Sequence, residues 1–543
     1  MIKQQLNGSE MNISRRKFIR MASVSSLGAL SVPLIMKGFD SIADNNGTVA
    51  KKDVNNNFKA DIDLELTATK KDVQLLDGEK TSVYSYEPRM LTGADRAIDQ
   101  MDDTYLGPII RVKPGQKVRV RFKNQLPRES IIHWHGLHIS PEMDGHPMYA
   151  IDEGEEFVYE FQVNNRPGPY WFHPHPDQIT GPQVYYGLAG MFIVEEDQPG
   201  LPAGEYDMPL ILQDRRFDAN NQLVYLENNR MARMQGFLGD RMMVNGRPEW
   251  HGKVKKATYR FRILNGSNSR IYKLAWSDGS DVVAIGTDGG LLEKPIRKPY
   301  LMLSPGERVE ILKDFSDYRD GEEVLLRSLQ FEDGSSMGRG GRMGGMMGGG
   351  QQQVPNGTAF DVYSFKITAQ KGPQKELPST LSKPGSIDIS RAVNAGNPRK
   401  FNFSFARMQW VINGETFEMK EVADWEKVKL NTTEVWEFIN GSTGSGRGMG
   451  MMGNMMQMPH PVHMHGLQFQ IIARDISGVS RSVWDTVKYG FIDEGWQDTF
   501  LLLPGMRVQV AMRFEDYTGI YIYHCHNLEH EDMGMMRNYE VVE

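Results

Sequence analysis

Short segments in which polar and apolar residues alternate recur along the chain from about residue 60 onward. In residues 111–122, for example, a Pro-Gly pair precedes a run with a period of two. This period places apolar side chains on one face of a strand, and Pro-Gly is typical of a turn. Patterns of long amphipathic helices are scarce, so the sequence predicts an all-β protein.

Two kinds of phrase occur three times along the chain in loosely similar form. Pro-Gly phrases that each precede an alternating segment lie within residues 112–116, 303–307 and 503–506. Asn-containing phrases that each close such a segment lie within residues 124–126, 264–267 and 439–442. Internal repetition of this kind predicts three copies of one β-sandwich unit.

The length of 543 residues is too great for one core and, at roughly 150 residues a domain, suggests three or four domains. Pro and Gly collect in residues 197–204 and 371–378, as they do in linkers. We therefore predict three domains, at residues 44–200, 201–375 and 376–543.

The chain has 33 methionines, and many of them lie in two Gly-rich segments of low complexity. Residues 334–353 form an insert in the second predicted domain, and residues 441–459 form a loop in the third. Neither composition can build a packed core. The methionines of these segments are Met337, Met343, Met346, Met347, Met449, Met451, Met452, Met455, Met456 and Met458.

Ten of the 13 histidines fall in four tight clusters. The clusters are His133 with His135, His173 with His175, His460 with His463 and His465, and His524 with His526 and His530. In a strand, residues i and i+2 point to the same face about 7 Å apart, close enough to bind neighbouring metal ions. One such pair is often only polar surface, but four in one chain indicate a metal centre.

Cys525 is the only cysteine, so the chain cannot form an internal disulfide or a Cys-rich zinc site. It lies between His524 and His526, and strand alternation turns its thiol to the opposite face. One strand can then contact two metal sites. A thiolate, two imidazoles and a weak thioether are the ligands of a blue copper centre, and His530 and Met535 follow at intervals of five residues.

The four clusters resemble the copper-binding signatures of multicopper oxidases, and the last matches His-Cys-His-x3-His-x4-Met without a gap. The resemblance implies three cupredoxin-like Greek-key domains and four copper ions, one of type 1, one of type 2 and two of type 3. It also implies an enzyme that oxidises a reductant at the type 1 copper. Electrons would pass through Cys525 to the other three ions, where O2 is reduced to water.

The same resemblance implies a ligand for each ion. The type 1 ligands would be His460, Cys525 and His530, with Met535 axial. The type 2 ligands would be His133 and His463. The type 3 ligands would be His135, His173 and His526 on one ion, and His175, His465 and His524 on the other.

Two acidic residues lie where members of the family place a proton relay. Asp144 is eleven residues after His133, and Glu531 is next to His530. The alternative for each is a solvated surface carboxylate. Asp498 is a weaker candidate, expected either to orient a type 1 histidine or to cap a turn. The three histidines outside the clusters are expected to be surface or satisfied core residues; they are His138, His146 and His251.

The reductant has to be inferred from other features. Residues 171–175, 180–184 and 187–190 resemble the periplasmic copper-efflux oxidases, which oxidise Cu(I) and also act as laccases. Thioethers are soft ligands suited to Cu(I). The Met-rich segments are placed differently from those of the best-known members, however, and residues 454–459 contain no acid. Three hypotheses follow: a cuprous oxidase, a laccase-like oxidase of phenols or other small organic reductants, and a copper-binding buffer.

The amino terminus predicts export. Paired arginines within residues 14–19 precede an apolar run at residues 21–36, as in a twin-arginine signal peptide, with cleavage expected after Ala43. The apolar run is too short for a transmembrane helix, and no other segment is long enough. The net charge of -7 gives no reason to expect nucleic acid. We therefore expect the export machinery as a partner and a periplasmic or otherwise exported protein without stable membrane insertion.

Overall fold

A computed structural model describes residues 54–101, 103–196, 200–226, 230–248, 251–335, 354–441 and 457–543. The predicted signal peptide and nine of the ten methionines of the Met-rich segments lie outside these residues. Strands dominate the described part, which confirms the predicted all-β class. No helix in it is long and apolar enough to cross a membrane.

The helices are short and connect strands. The α-helices are α1 (Thr180–Tyr185), α2 (Arg230–Gln235), α3 (Arg481–Val487) and α4 (Leu528–Asp532). Single 3-10 turns lie at Asp95–Ala97, Pro147–Tyr149, Gly204–Tyr206, Ile389–Arg391 and Asp424–Glu426. Because none exceeds two turns, the core is built by sheets.

Nine strands at the start of the described chain form a four-stranded sheet, β2-β1-β5-β7, and a five-stranded sheet, β3-β4-β9-β8-β6. Their bounds are β1 Ile62–Val73, β2 Thr81–Thr92, β3 Ile98–Asp99, β4 Ile109–Val112, β5 Lys117–Asn124, β6 Ile132–His135, β7 Glu156–Gln162, β8 Gly168–Pro174 and β9 Gly190–Val194. Buried residues of both sheets, such as Val120 and Phe172, share one core, so the two sheets form a sandwich.

The next twelve strands form a seven-stranded sheet, β12-β11-β10-β14-β19-β16-β17, and a five-stranded sheet, β13-β21-β20-β15-β18. Their bounds are β10 Asp207–Arg215, β11 Arg241–Val244, β12 Arg247–Pro248, β13 His251–Lys256, β14 Thr258–Asn265, β15 Tyr272–Trp276, β16 Val282–Thr287, β17 Gly290–Lys298, β18 Leu301–Leu303, β19 Arg308–Asp314, β20 Glu323–Ser328 and β21 Phe360–Lys371. Phe261 and Phe365, one from each sheet, meet in the shared core.

The last ten strands form two five-stranded sheets, β23-β22-β25-β29-β27 and β24-β31-β30-β26-β28. Their bounds are β22 Arg399–Ala406, β23 Gln409–Ile412, β24 Lys427–Lys429, β25 Thr432–Asn440, β26 His460–Met464, β27 Phe469–Asp475, β28 Thr499–Leu502, β29 Arg507–Phe514, β30 Gly519–Cys525 and β31 Met536–Val542. The chain thus folds into three cupredoxin-like sandwiches, as predicted. The residue limits of the predicted domains stay a prediction.

The repeated phrases of the sequence form the same local structure in each of the three sandwiches. Asn124, Asn265 and Asn440 each end a strand, and the side-chain amide of each donates to two backbone carbonyls at 2.7 to 3.0 Å. The Pro-Gly turns place Gly115, Gly306 and Gly505 at φ values of 85, 88 and 81°. This conformation favours glycine, which explains why the phrase is repeated.

Candidate metal centre

Four strands from the first and third sandwiches bring the histidine clusters together. In the first sandwich β6 pairs with β8, which puts His133 opposite His173. In the third, β26 pairs with β30, which puts His463 opposite His524. The two strand pairs meet, since the Nε2 atoms of His133 and His463 lie 3.3 Å apart. The cluster therefore lies between the two sandwiches, and neither can build it alone.

Eight buried histidines form one cluster, which is called the trinuclear cluster after the three ions that the sequence predicts for it. They are His133, His135, His173, His175, His463, His465, His524 and His526. Within it, sets of three residues place one possible ligand atom each within 4.8 Å of one another. These sets are His133, His135 and His463; His135, His173 and His526; His175, His465 and His524; and His133, Asp144 and His465. The second and third sets coincide with the type 3 ligands expected from the sequence.

The environment of the cluster suits metal ions. Burial and neighbouring histidines together lower the pKa of His173 to about 3 and of His175 to about 4, so these rings are neutral and keep a lone pair for a metal. Both ring nitrogens of His175 and of His526 are buried without a hydrogen-bond partner in the described structure. A buried polar atom without a partner is costly, and metal coordination would satisfy one nitrogen of each ring.

Hydrogen bonds to the opposite ring nitrogens orient the histidines. Nδ1 of His133 donates to the backbone oxygen of Asp144 at 2.6 Å, and Nδ1 of His463 donates to that of Asp498 at 2.8 Å. Nδ1 of His465 donates to the carboxylate of Asp144 at 2.7 Å. Each bond leaves Nε2 unprotonated and turned toward the cluster, as carbonyl and carboxylate partners do for metal-binding histidines.

Cys525 forms a second metal-ligand group with His460 and His530. Its Sγ atom lies 3.4 Å from Nδ1 of His460 and 3.7 Å from Nδ1 of His530. All three side chains are buried, and burial raises the pKa of the thiol, so a positive ion is needed to stabilise the thiolate here. Met535 is buried in the same core, and its backbone oxygen accepts from the Cys525 amide at 3.0 Å. The donors fit the copper site expected from the sequence.

The two predicted relay acids lie against the trinuclear cluster. Besides its bond to His465, Asp144 has a second carboxylate oxygen that is buried and unpartnered, and burial raises the pKa of this acid well above its usual range. Oε2 of Glu531 lies 3.1 Å from Nδ1 of His524, and its Oε1 lies 3.5 Å from Nε2 of His175. Both acids are buried, so neither is the solvated surface carboxylate that was the alternative.

The expectation that Asp498 orients a type 1 histidine is wrong. Its carboxylate accepts from Nε2 of His135 at 3.1 Å, which places it on the trinuclear cluster. The reason is the register of β26 and β28, in which His463 is opposite Thr499 while His460 is opposite Leu502. Asp498 therefore lies at the trinuclear end of β26.

The second sandwich also contributes residues beside the cluster. The sequence did not predict this contribution. Both terminal nitrogens of Arg308 donate to the Asp498 carboxylate at 2.6 Å, and its Nε donates to the oxygen of Pro169 at 3.0 Å. Asp288 adds a bond, since its carboxylate accepts from the Thr499 amide at 3.1 Å. Arg308 begins an alternating strand after a Pro-Gly turn, where a charged residue is ordinarily exposed, so the sequence gives no sign of this role.

The remaining candidates lie outside the metal-ligand groups. Met458, in the described part of its Met-rich segment, is buried, and its backbone oxygen accepts from Asn440 at 2.7 Å. His138 bonds to Asp516 at 2.9 Å, and buried His146 bonds to Asn538 at 3.0 Å. His251 is exposed.

Comparison with known proteins identifies the family. Models of the multicopper oxidase family match residues 83–199 and 392–543. The McoA multicopper oxidase of Aquifex aeolicus is 32% identical with a TM-score of 0.73, and the alignment covers 90% of this chain and 97% of that one. A laccase of Bacillus subtilis is 28% identical over 80% of this chain and 88% of its own length.

The multicopper oxidase of Campylobacter jejuni, described as a metallo-oxidase, is 27% identical with a TM-score of 0.67, over 88% of this chain and 91% of that one. Family models, identity and shared fold agree with the two buried ligand groups. The chain therefore belongs to the multicopper oxidases, enzymes that bind copper and use O2 and a reductant.

Proposed function

We propose that this protein oxidises Cu(I) one electron at a time and reduces O2 to water with the four electrons it collects. The observation that carries the proposal is the position of Cys525 between His524 and His526 at the end of β30. Its side chain lies in one ligand group, and its two neighbours lie in the other. Electrons then have a continuous covalent path between the groups, through adjacent residues of the chain.

Four resident copper ions fit the two groups. His460, Cys525, His530 and Met535 would hold the type 1 ion, and the eight histidines of the trinuclear cluster would hold one type 2 and two type 3 ions. When bound, these ions supply one-electron transfer at Cys525 and multielectron reduction of O2 at the cluster. Storing several electrons at one place avoids release of partly reduced oxygen.

Asp144 and Glu531 would supply the protons that water formation consumes. Both are buried and contact the ligand set formed by His175, His465 and His524, Asp144 through His465 and Glu531 beside His524. A carboxyl group held within hydrogen-bond reach of a reacting site can pass protons to it. Arg308 and Asp498 would instead fix the orientation of the His135 ring.

Cu(I) as the reductant is supported by the methionines. Met458 lies two residues before His460, so the Met-rich residues 441–459 lead directly to a type 1 ligand. Thioethers bind Cu(I) better than they bind harder ions. Ordinary linkers favour Gly, Ser and charged residues, so methionine at this density has no evident value as a spacer. The metallo-oxidase of Campylobacter jejuni supports the same proposal.

Oxygen uptake by the copper-loaded enzyme tests the proposal. Cu(I) and 2,6-dimethoxyphenol are compared in the wild type and in a variant whose ten segment methionines are replaced with leucine. Leucine keeps the volume but removes the sulfur ligand. We expect kcat/KM for Cu(I) to fall about tenfold or more and that for the phenol to stay within about twofold. Equal kcat/KM for Cu(I) in the two proteins would contradict a Cu(I) site in these segments.

A laccase-type oxidase of phenols is the second candidate, and the Bacillus subtilis relative favours it. In that case the phenol is the faster substrate, and the leucine variant behaves like the wild type with both reductants. The copper-buffer hypothesis predicts bound Cu(I) with little oxygen uptake. A buffer has no need of Asp144 and Glu531 beside the cluster, so their burial argues against it.

We further propose export through the twin-arginine route to the periplasm or an equivalent compartment, where the protein would protect the cell envelope from copper. The paired arginines Arg15 and Arg16 support this. Changing both to lysine keeps the charge. We expect the variant to stay in the cytoplasm, as measured by cell fractionation, whereas export at the wild-type level would contradict the route.

A further inference from the structure

A short segment of the second sandwich covers the outer edge of a type 1 ligand. We call residues 234–237 the cap; they include the end of α2 and the residues after it. The backbone oxygen of Met234 accepts from Nε2 of His530 at 3.1 Å. Because Nδ1 of the same ring faces Cys525, Nε2 is the atom that points away from the metal-ligand group. The backbone oxygen of Met234 in the cap therefore takes the hydrogen bond that this nitrogen can make.

Trp410, on β23, closes the space beside the same ring. Its indole lies 4.4 Å from the His530 ring between centroids, with 32° between the planes, and 5.0 Å from the His460 ring. Its Nε1 donates to the Met234 oxygen at 3.0 Å, so Trp410 and His530 share one acceptor. Only 1% of Trp410 is exposed. An aromatic reductant therefore finds the face of His530 already covered by an aromatic ring.

Glu529, on α4, holds the cap in place. Its Oε2 accepts from the backbone amide of Phe237 at 2.9 Å and also contacts Ser269. Its Oε1 accepts from the Tyr225 hydroxyl at 2.7 Å and from Nδ2 of Asn268 at 2.9 Å. A buried carboxylate with this many donors is strongly fixed, and loss of one of its partners is costly. The cap is thus tied to the helix that carries His530.

Gly236 allows the cap to lie close to Ser269 and Asn527. Its φ is 94°, in the region that favours glycine. A Cβ atom there would lie 2.3 Å from Oγ of Ser269 and 2.5 Å from Nδ2 of Asn527. Both atoms belong to buried, hydrogen-bonded side chains, so a larger residue would push the cap outward.

We propose that the cap determines which reductants the enzyme oxidises, by closing the edge of His530 to aromatic molecules, and that Glu529 is the positioning residue that keeps it closed. The inference deepens the proposed function and rests on it, because a closed edge favours a small inorganic ion over a phenol. The cap lies outside both Met-rich segments, so its contribution to specificity is separate from theirs.

The test compares Gly236→Ala with Gly279→Ala. Gly279 also has a positive φ, of 75°, but a Cβ atom there meets nothing within 4 Å. In the copper-loaded enzymes we expect Gly236→Ala to raise kcat/KM for 2,6-dimethoxyphenol about tenfold and to leave that for Cu(I) within about twofold. In the copper-free proteins we expect diethylpyrocarbonate to modify His530 faster in Gly236→Ala, relative to exposed His251 as the internal standard. Gly279→Ala should match the wild type in both assays.

Glu529→Gln provides a second variant should Gly236→Ala fold poorly. The amide group of glutamine has only one accepting oxygen, so either Phe237 and Ser269 or Tyr225 and Asn268 would face an NH2 group that cannot accept. The same changes are therefore expected at smaller size. The proposal is overturned if His530 modification and phenol oxidation stay at wild-type levels in the folded variants, or if both substrates lose activity in parallel. Failure of the wild type to oxidise Cu(I) would instead refute the proposed function, and the phenol rates and His530 modification would still report on the cap.

Discussion

The two metal-ligand groups are built in different ways. The trinuclear cluster takes its histidines from two sandwiches, and buried charged residues from all three surround it, among them Asp144, Asp498 and Arg308. The Cys525 group takes every ligand from one sandwich, and its close neighbours are aromatic, such as Trp410 and Phe403.

This difference corresponds to the reactants proposed for each group, which are electrons and protons at one and electrons alone at the other. Reduction of O2 consumes protons as well as electrons, and in the proposed function the carboxylates beside the trinuclear cluster would deliver them. The Cys525 group would exchange only electrons, which need no acid and can pass through a buried, apolar environment. Adjacent residues of a strand point to opposite faces, so Cys525 and its neighbours His524 and His526 enter different environments.

The largest expected effect is that of Cys525→Ser. A hydroxyl is a poor ligand for a blue copper ion, so turnover with every reductant should be abolished. The histidines of the trinuclear cluster are unchanged, and we expect three copper ions per chain in place of four. Metal analysis and visible absorption measure this. Met536→Leu, a conservative change in the adjacent strand, is the control, and loss of all copper from Cys525→Ser would show that the groups are not independent.

Asp144→Asn should slow O2 reduction by roughly 10²- to 10⁴-fold, because asparagine cannot relay a proton. The blue absorption of the Cys525 group should be unchanged, since Asp144 contacts only the other group. Stopped-flow reoxidation of the fully reduced enzyme measures the effect. Asp152→Asn, at an exposed site, should reoxidise at the wild-type rate. Normal reoxidation of Asp144→Asn would remove this acid from the relay.

Arg308→Gln should weaken copper binding at the trinuclear cluster by about 10- to 100-fold, because Asp498 loses its partner and no longer fixes His135. The Cys525 group should keep its copper. Copper content after dialysis against a chelator, resolved by absorption and electron paramagnetic resonance, distinguishes the groups. The matched control is Arg327→Gln, which breaks the exposed pair with Asp361. Equal loss of copper from both groups would instead indicate general unfolding.

The smallest effect is expected for Trp410→Phe. Phenylalanine keeps an aromatic ring beside His530 but removes the donor to the Met234 oxygen, which should cost about 1 kcal/mol of unfolding free energy. Urea denaturation of the copper-free protein measures this. Trp484→Phe, at a half-buried position on α3, serves for comparison. Absorption of the Cys525 group in the copper-loaded Trp410→Phe variant should stay at its wild-type position, and a large shift would mean that Trp410 shapes the metal site directly.

The sequence predicted those features that depend on neighbours along one strand. The spacing of His524, Cys525 and His526 indicates two ligand groups on opposite faces, and the structure places them in two groups. The all-β class and the three-fold repeat follow from alternation and from the Asn and Pro-Gly phrases in the same way.

Features that depend on the register between distant strands could not be predicted. Asp498 was assigned to the wrong group because its place is set by the pairing of β28 with β26. Arg308 and Met234 act from the second sandwich, at contacts that no local pattern encodes. For Met234 the contact is made by a backbone oxygen, which every residue type carries.

The proposed function joins Cu(I) oxidation to full reduction of O2. The most direct measurement is the stoichiometry of the copper-loaded enzyme with Cu(I) in limiting amount, with an oxygen electrode and a peroxide assay run together. We expect four Cu(I) consumed per O2 and no hydrogen peroxide. Two Cu(I) per O2 with an equivalent of peroxide, or no uptake above the rate of free Cu(I), would contradict it.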